Sequence, residues 1–342
     1  LPPRTILELA DRHGALDSLP GDTEEAITRW FVFRDFYHFV EVKRAIKRLL
    51  RAPDDYALAV YAAGQELAAQ RVRYAEITVT PFSLIDALDQ GLTIDLLLEG
   101  LEAGRQRVRV ELGIELRWVF DIPRNRAFAD YRQGGAYVPG AAERTLEYAL
   151  LGRDRGVIGL GLGGSEVNAP PEPFAGVFAE ARRHGLKSLP HAGESAGPAS
   201  VWGAIRDLGA DRIGHGVRAV EDDRLLRELA ERQIPLEVCP TSNVYLNFIP
   251  RIEDHPLPAL DQAGVLVTVN TDDPKLIGAT LSGEYRLLVD VFGYSVAGVI
   301  RLARNAFMAC CAEPALKARL LGEFDAWTAR VGSPPGEVIS WT

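Results

Sequence analysis

The chain has 342 residues, 47% hydrophobic and 25% charged, enough to bury a large core as one large α/β domain or two smaller ones. Its 38 basic and 47 acidic residues give a formal charge of −9 in mixed-sign clusters, with no basic tract of the kind a phosphate backbone attracts, so nucleic acid is not an expected partner. No apolar run approaches the span of a bilayer and the opening residues, LPPRTILELADRHG, lack a signal-peptide core, so the expected location is cytoplasmic, with no membrane partner.

In chain order, residues 3–13 read as a helix, with Pro3 at its start, Gly14 past its end, and Ile6, Leu7, Leu9 and Ala10 on its buried side. Residues 24–50 continue helical. Their aromatic group, Trp30, Phe31, Phe33, Phe36, Tyr37, His38 and Phe39, is read as core, with a lid over a pocket as the alternative. Asp54 and Asp55, after Pro53, open a helix that runs to about Gln70. A first strand spans residues 73–80 and is closed by Pro81. After a helix over 93–108, a second strand at 115–121 ends in FDIPR, and a third at 157–162 runs into GGSE.

The next strands end on chemistry. LKSLPHAGE, residues 186–194, is an apolar run that stops on His191, two small residues and Glu194. DRIGHG, residues 211–216, sets His215 between glycines. PLEVCPTSN, residues 235–243, is read as a sixth strand, and VLVTVNTDD, residues 265–273, as a seventh that ends on Asp272 and Asp273. Helices are expected near 141–151, 172–184, 198–208, 221–232 and 255–263. Cys239 in a strand and the vicinal Cys310 and Cys311 on a helical pattern have no metal-binding spacing and read as packing.

Regular βα alternation implies parallel strands with helical crossovers, either a closed (β/α)8 TIM barrel or an open doubly wound sheet. The polar residues decide for the barrel, because only a barrel brings the C-terminal ends of many strands to one mouth. The expectation is a single barrel domain over residues 1–342. Seven strands are visible and a barrel needs eight, so the first strand is expected immediately before Leu1.

Each of these residues also has a plain structural reading. A lone histidine at a strand end is more often a satisfied core residue, and TDDP suits a helix start with Asp273 as N-cap. GLGLGG at 159–164 could suggest a dinucleotide loop, but that loop must open a helix and SEVNAPPEP does not. Glu76 and Glu194 could form a glycosidase pair, which would leave His191, His215 and the two aspartates unexplained.

Taken together, LPHAGES, DRIGHGV, LEVCPTSNVYL and VTVNTDDP, in this order, resemble the signature segments of the adenosine deaminase family of metal-dependent amidohydrolases. VRYAEITVTP and LPPRTILELADRHG extend the likeness over nearly the whole chain. The resemblance implies one zinc ion held by an H-x-H pair on the first strand, a histidine and an aspartate. His191 and Asp272 match the last two, and the H-x-H has no match in this sequence. It further implies Glu194 as the acid that protonates purine N1, and His215 as the residue that orients the attacking water or takes its proton. Asp273 would accept a hydrogen bond at the reacting centre, and the Gly164 N–H would meet the purine. The implied reaction is zinc-dependent hydrolytic deamination of a 6-aminopurine nucleoside, with adenine or aminodeoxyfutalosine as alternative substrates. A barrel that binds purines without catalysis is the alternative of another class.

Overall fold

The computed structural model describes residues 1–34 and 36–331; the side chains of Phe36 and Tyr37, part of the aromatic group above, lie outside that description. Seven parallel strands form one sheet whose spatial order is their chain order. They are β1 (Tyr74–Val79), β2 (Glu115–Pro123), β3 (Val157–Gly163), β4 (Lys187–Ala192), β5 (Ile213–His215), β6 (Leu236–Val238) and β7 (Val267–Val269). A helix lies in every crossover, from Ile94–Leu112 between β1 and β2 to Leu257–Gln262 between β6 and β7.

Burial follows the two faces of the sheet. In β2, Leu116, Trp118, Phe120 and Ile122 pack with Leu97, Leu98, Leu101, Leu146 and Ala149 of the flanking helices. The alternate residues Arg117, Val119 and Asp121 therefore point to the other face, because successive side chains of a strand alternate. Two of those three are charged and both are buried. The inner face of this sheet carries polar groups.

The sheet is curled. Helices α1 (Pro3–Arg12), α2 (Glu24–Trp30) and α3 (Phe36–Lys47) all precede β1. Their Ile6, Leu9, Ile27, Phe39 and Val42 nevertheless share a buried cluster with Leu276, Ile277 and Ala279, which follow β7. The inner face closes in the same sense: Arg212, next to β5, pairs with Glu237 in β6 and with Glu76 in β1, and the Cys311 N–H donates to Glu76 at 2.6 Å. Helix α4 (Pro53–Ala69) joins this side through Glu66, 2.6 Å from Lys275.

Several elements differ from the sequence reading. Residues 24–50 are two helices broken at 31–34, where the Tyr245 hydroxyl donates to the Phe31 carbonyl and the Arg34 N–H donates to His38 Nδ1 at the mouth of α3. The strand expected over 235–243 stops at Val238. Pro240, which lacks an N–H for the ladder, begins a short helix, Pro240–Tyr245. Cys239 is the residue just before that helix rather than part of the strand, and Cys310 and Cys311 follow the helix Val296–Ala309 rather than sitting on it.

Candidate active site

The site is built on the ends of β3 to β7. After β4 the backbone turns at Gly193, φ +73°, where a Cβ would stand 2.5 Å from Val201 Cγ2, so only glycine fits there. Glu166, buried just beyond β3, organises this turn. Its carboxylate accepts the N–H groups of Gly193 and Glu194 at 2.8 Å and of Ser195 at 2.9 Å, together with the Ser200 hydroxyl. Arg124, fully buried, donates to the carbonyls of Ala169 and His191. Gly214 lies against the His191 ring, where a Cβ would be 3.1 Å from its Cγ. His215 at φ +60° and Asp272 at φ +54° hold left-handed backbone conformations that side chains other than glycine adopt at a cost, and both are site residues.

Glu194, His215 and Asp272 each offer an atom within 4.8 Å of the others. His215 Nε2 stands 3.4 Å from Glu194 Oε1, and Ser242 donates to Asp272 Oδ2 at 2.6 Å. The His191 ring is beside them, 5.3 Å from that of His215 between centroids. Asp273 does not cap the helix that follows it; its Oδ2 accepts from Lys43 Nζ of α3 at 2.7 Å instead. Gly164, at the end of β3, has φ +92° and no neighbour closer than Arg124 at 4.0 Å from a built Cβ.

The charges of this cluster are unequal. Burial pushes the Glu194 carboxyl up to about 8, with Asp272 and Glu166 acting in the same direction against His191 and Lys43. Burial also opposes ionisation of Asp272, but His215, Lys43 and the Ser242 hydrogen bond together hold it below the usual carboxylate range. The two carboxyl groups are thus driven apart, one toward the acid and one toward the anion, the pattern that separates acid from base in active sites. Asp121, on the inner face of β2, is raised by burial and occupies space left by Gly161 and Gly163, where a Cβ would lie 2.6 and 2.2 Å from its oxygens.

Sequence reasoning singled out Glu194, His215 and Asp272, which converge, His191, whose ring is beside them, Asp273, which turns to Lys43, and Gly164, just past β3. It passed over Glu166, Asp121, Lys43 and Asn243. Glu166 and Asp121 did lie in the quoted segments GGSE and FDIPR, so their strand-end positions were a usable signal. Lys43 had none, being 230 residues from its partner. Glu76, the other half of a glycosidase pair, is bound to Arg212 before β5, whereas Glu194 follows the end of β4; the two carboxylates belong to different ends of the sheet.

The donor set suits a divalent cation. An imidazole and an ionised carboxylate, those of His191 and Asp272, are ligands that zinc takes, and His191 Nδ1 is buried with no hydrogen-bond partner among the described residues. His191 and Asp272 would hold the ion, with Glu194 and His215 beside it.

A family model described as adenosine deaminase matches residues 1–327. The aminodeoxyfutalosine deaminase of Streptomyces avermitilis is 40% identical over 329 residues, 96% of this chain and 87% of that one. The adenine deaminase of Rhizobium meliloti is 36% identical, over 94% of this chain and 93% of that one. Among solved structures, an adenine deaminase from Arthrobacter aurescens superposes with a TM-score of 0.86 at 29% identity, covering 96% of this chain and 95% of that one. A zinc-bound amidohydrolase from Burkholderia ambifaria gives 0.84 at 26% identity, over 98% of this chain and 90% of that one.

Proposed function

The chain belongs to the adenosine deaminase family, and we propose that it hydrolytically deaminates a 6-aminopurine nucleoside, with aminodeoxyfutalosine first among the candidates. It is a deaminase of amidine-type purine compounds in a metal-dependent family. The preference within that class rests on similarity. Two relatives named aminodeoxyfutalosine deaminase are 40% and 39% identical, against 34% to 37% for those named for adenosine or adenine. We further infer that the curled sheet is completed as a (β/α)8 barrel by an eighth strand between β7 and β1.

The observation that carries the reading is the convergence of Glu194, His215 and Asp272 within 4.8 Å at the strand ends, where burial raises the Glu194 carboxyl while its neighbours keep that of Asp272 low. A zinc ion, when bound at His191 and Asp272, supplies water whose pKa falls from about 15.7 to about 7. Glu194, protonated near neutrality, delivers its proton to purine N1 as the water oxygen bonds to C6. The C6–N6 bond then breaks as the C6–O bond becomes a carbonyl; of the water's two protons, one leaves with the amine as ammonia and the other returns to Glu194, which restores the acid. His215 holds the attacking water and Asp273 accepts a hydrogen bond at the same centre, which requires its present partner, Lys43, to share or yield it. The N–H of Gly164, just past the end of β3, is the donor we assign to the ring.

The test is ammonia release from aminodeoxyfutalosine, adenosine and adenine by zinc-loaded protein, with bound zinc measured alongside. With His191 and Asp272 as the only matched ligands, zinc should be held weakly, and under excess zinc preference for the first substrate is expected. Preference for free adenine would overturn the nucleoside reading, and no release from any of the three would overturn the site assignments.

A further inference from the structure

His215 does not stand alone in the core. Its Nδ1 lies 3.2 Å from Asn243 Nδ2, and Asn243 Oδ1 lies 3.2 Å from His255 Nε2. His255 Nδ1 in turn accepts the backbone N–H of Leu257 at 3.1 Å. Asn243 is fully buried, and His215 and His255 are both 3% exposed, so water offers these groups no alternative partner.

The proton positions along this chain follow from its far end. A backbone N–H can only donate, so His255 Nδ1 must be the bare nitrogen and its proton must sit on Nε2. That proton fixes the Asn243 amide with Oδ1 toward His255 and Nδ2 toward His215. The Nδ2 hydrogen requires a bare Nδ1 on His215, which leaves the proton of His215 on Nε2. Reversing any one amide or ring sets donor against donor, or carbon against a polar atom, inside the core. We propose that Asn243 and His255 are positioning residues that hold His215 as its Nε2–H tautomer, through a hydrogen-bonded chain anchored on the Leu257 N–H.

The consequence concerns what His215 can do. Its Nε2 is the nitrogen that faces Glu194 and the reacting centre. With the hydrogen there, His215 offers the attacking oxygen a donor and cannot take a proton from it at that atom. Of the two duties the family resemblance allowed, orientation of the water is selected and proton acceptance is excluded. Burial supports the arrangement independently, pushing His255 down to about 4, with His215 adding to the effect, so that His255 is neutral and keeps one bare nitrogen at physiological pH.

The catalytic consequence rests on the deaminase reading, but the tautomer does not, and the experiment separates them. Histidine-labelled protein carries six histidines, few enough for ring nitrogens to be assigned by long-range 1H–15N correlation, with and without zinc. Both His215 and His255 are expected with protonated Nε2 and bare Nδ1. In Asn243→Asp a carboxylate accepts on both sides, so the His215 proton should move to Nδ1. There kcat for deamination should fall about 10- to 100-fold, with KM within about twofold. Should that variant not fold, His255→Gln, which keeps an amide donor toward Asn243, should preserve the His215 pattern, and His255→Leu should lose it. A wild-type His215 protonated at Nδ1, or His215 resonances indifferent to these changes, overturns the proposal. Retained tautomers in a protein that releases no ammonia would leave the chain of hydrogen bonds standing and overturn the deaminase reading alone.

Discussion

Glu194 sets the pH behaviour at the level of single residues. Burial, with Asp272 and Glu166 beside it, lifts its carboxyl to about 8, so at neutral pH it carries the proton that ring N1 requires. Raising the pH through that value removes the proton, and kcat/KM should fall on an alkaline limb centred near 8. A kcat/KM that stays flat to about pH 10 would remove Glu194 from the acid role. The same shift has a sign for stability. The folded carboxyl holds its proton more tightly than the unfolded value of 4.5, so this group's contribution declines as pH rises from 4.5 toward about 8. The positions of His191, Glu194, His215 and Asp272 were legible because ending an apolar strand on a polar group is a local property of sequence. The pairing of Asp273 with Lys43 was not, since nothing in TDDP distinguishes an N-cap from a carboxylate bound by a helix 230 residues away.

At the level of elements, what matters is how the loop after β4 is kept in place. It has no regular structure of its own, and three successive N–H groups, of Gly193, Glu194 and Ser195, end on the one carboxylate of Glu166. Burial alone would neutralise Glu166, but Arg124, the Ser200 hydroxyl and these N–H groups hold it below the usual range, as an anion. Glu166→Gln replaces one acceptor oxygen by a donor that faces backbone N–H groups. The expected cost is about 1–3 kcal/mol of stability, with faster amide exchange confined to residues 193–195 and a fall in kcat as Glu194 loses its position. Wild-type protection of those amides in the variant would show that the loop is held by something else. Element type and order were readable from periodicity, since a buried parallel strand is a short apolar run whatever its partners. Boundaries failed where a tertiary contact or a proline overrode the local pattern: Tyr245 interrupts the aromatic helix at Phe31, and Pro240 turns PTSNVY out of the sheet.

Across the whole molecule, the two edges of the sheet are joined by packing that no strand pairing supplies among the described residues. The chain before β1 and the chain after β7 meet in the cluster of Ile6, Leu9, Ile27, Leu276 and Ile277, all of them nearly or fully buried. Asp272 and Asp273 lie only a few residues before Leu276, so the same cluster that curls the sheet also positions the site's ionised carboxylate. Alternation of strands and helices announced the parallel order and the polar strand ends pointed to a closed barrel, but the packing that joins the edges was not legible, since it lies between residues almost the full chain apart. Leu9 is fully buried in α1, far in sequence from any proposed catalytic group. Leu9→Ala should cost about 2–5 kcal/mol by leaving a cavity, and the loss should be uneven. Amide exchange should accelerate first at residues 276–279 and least in β3 and β4, whose core is separate. Uniform acceleration through all seven strands would mean that the two edges are held by the sheet itself, and that α1 is only a covering for it.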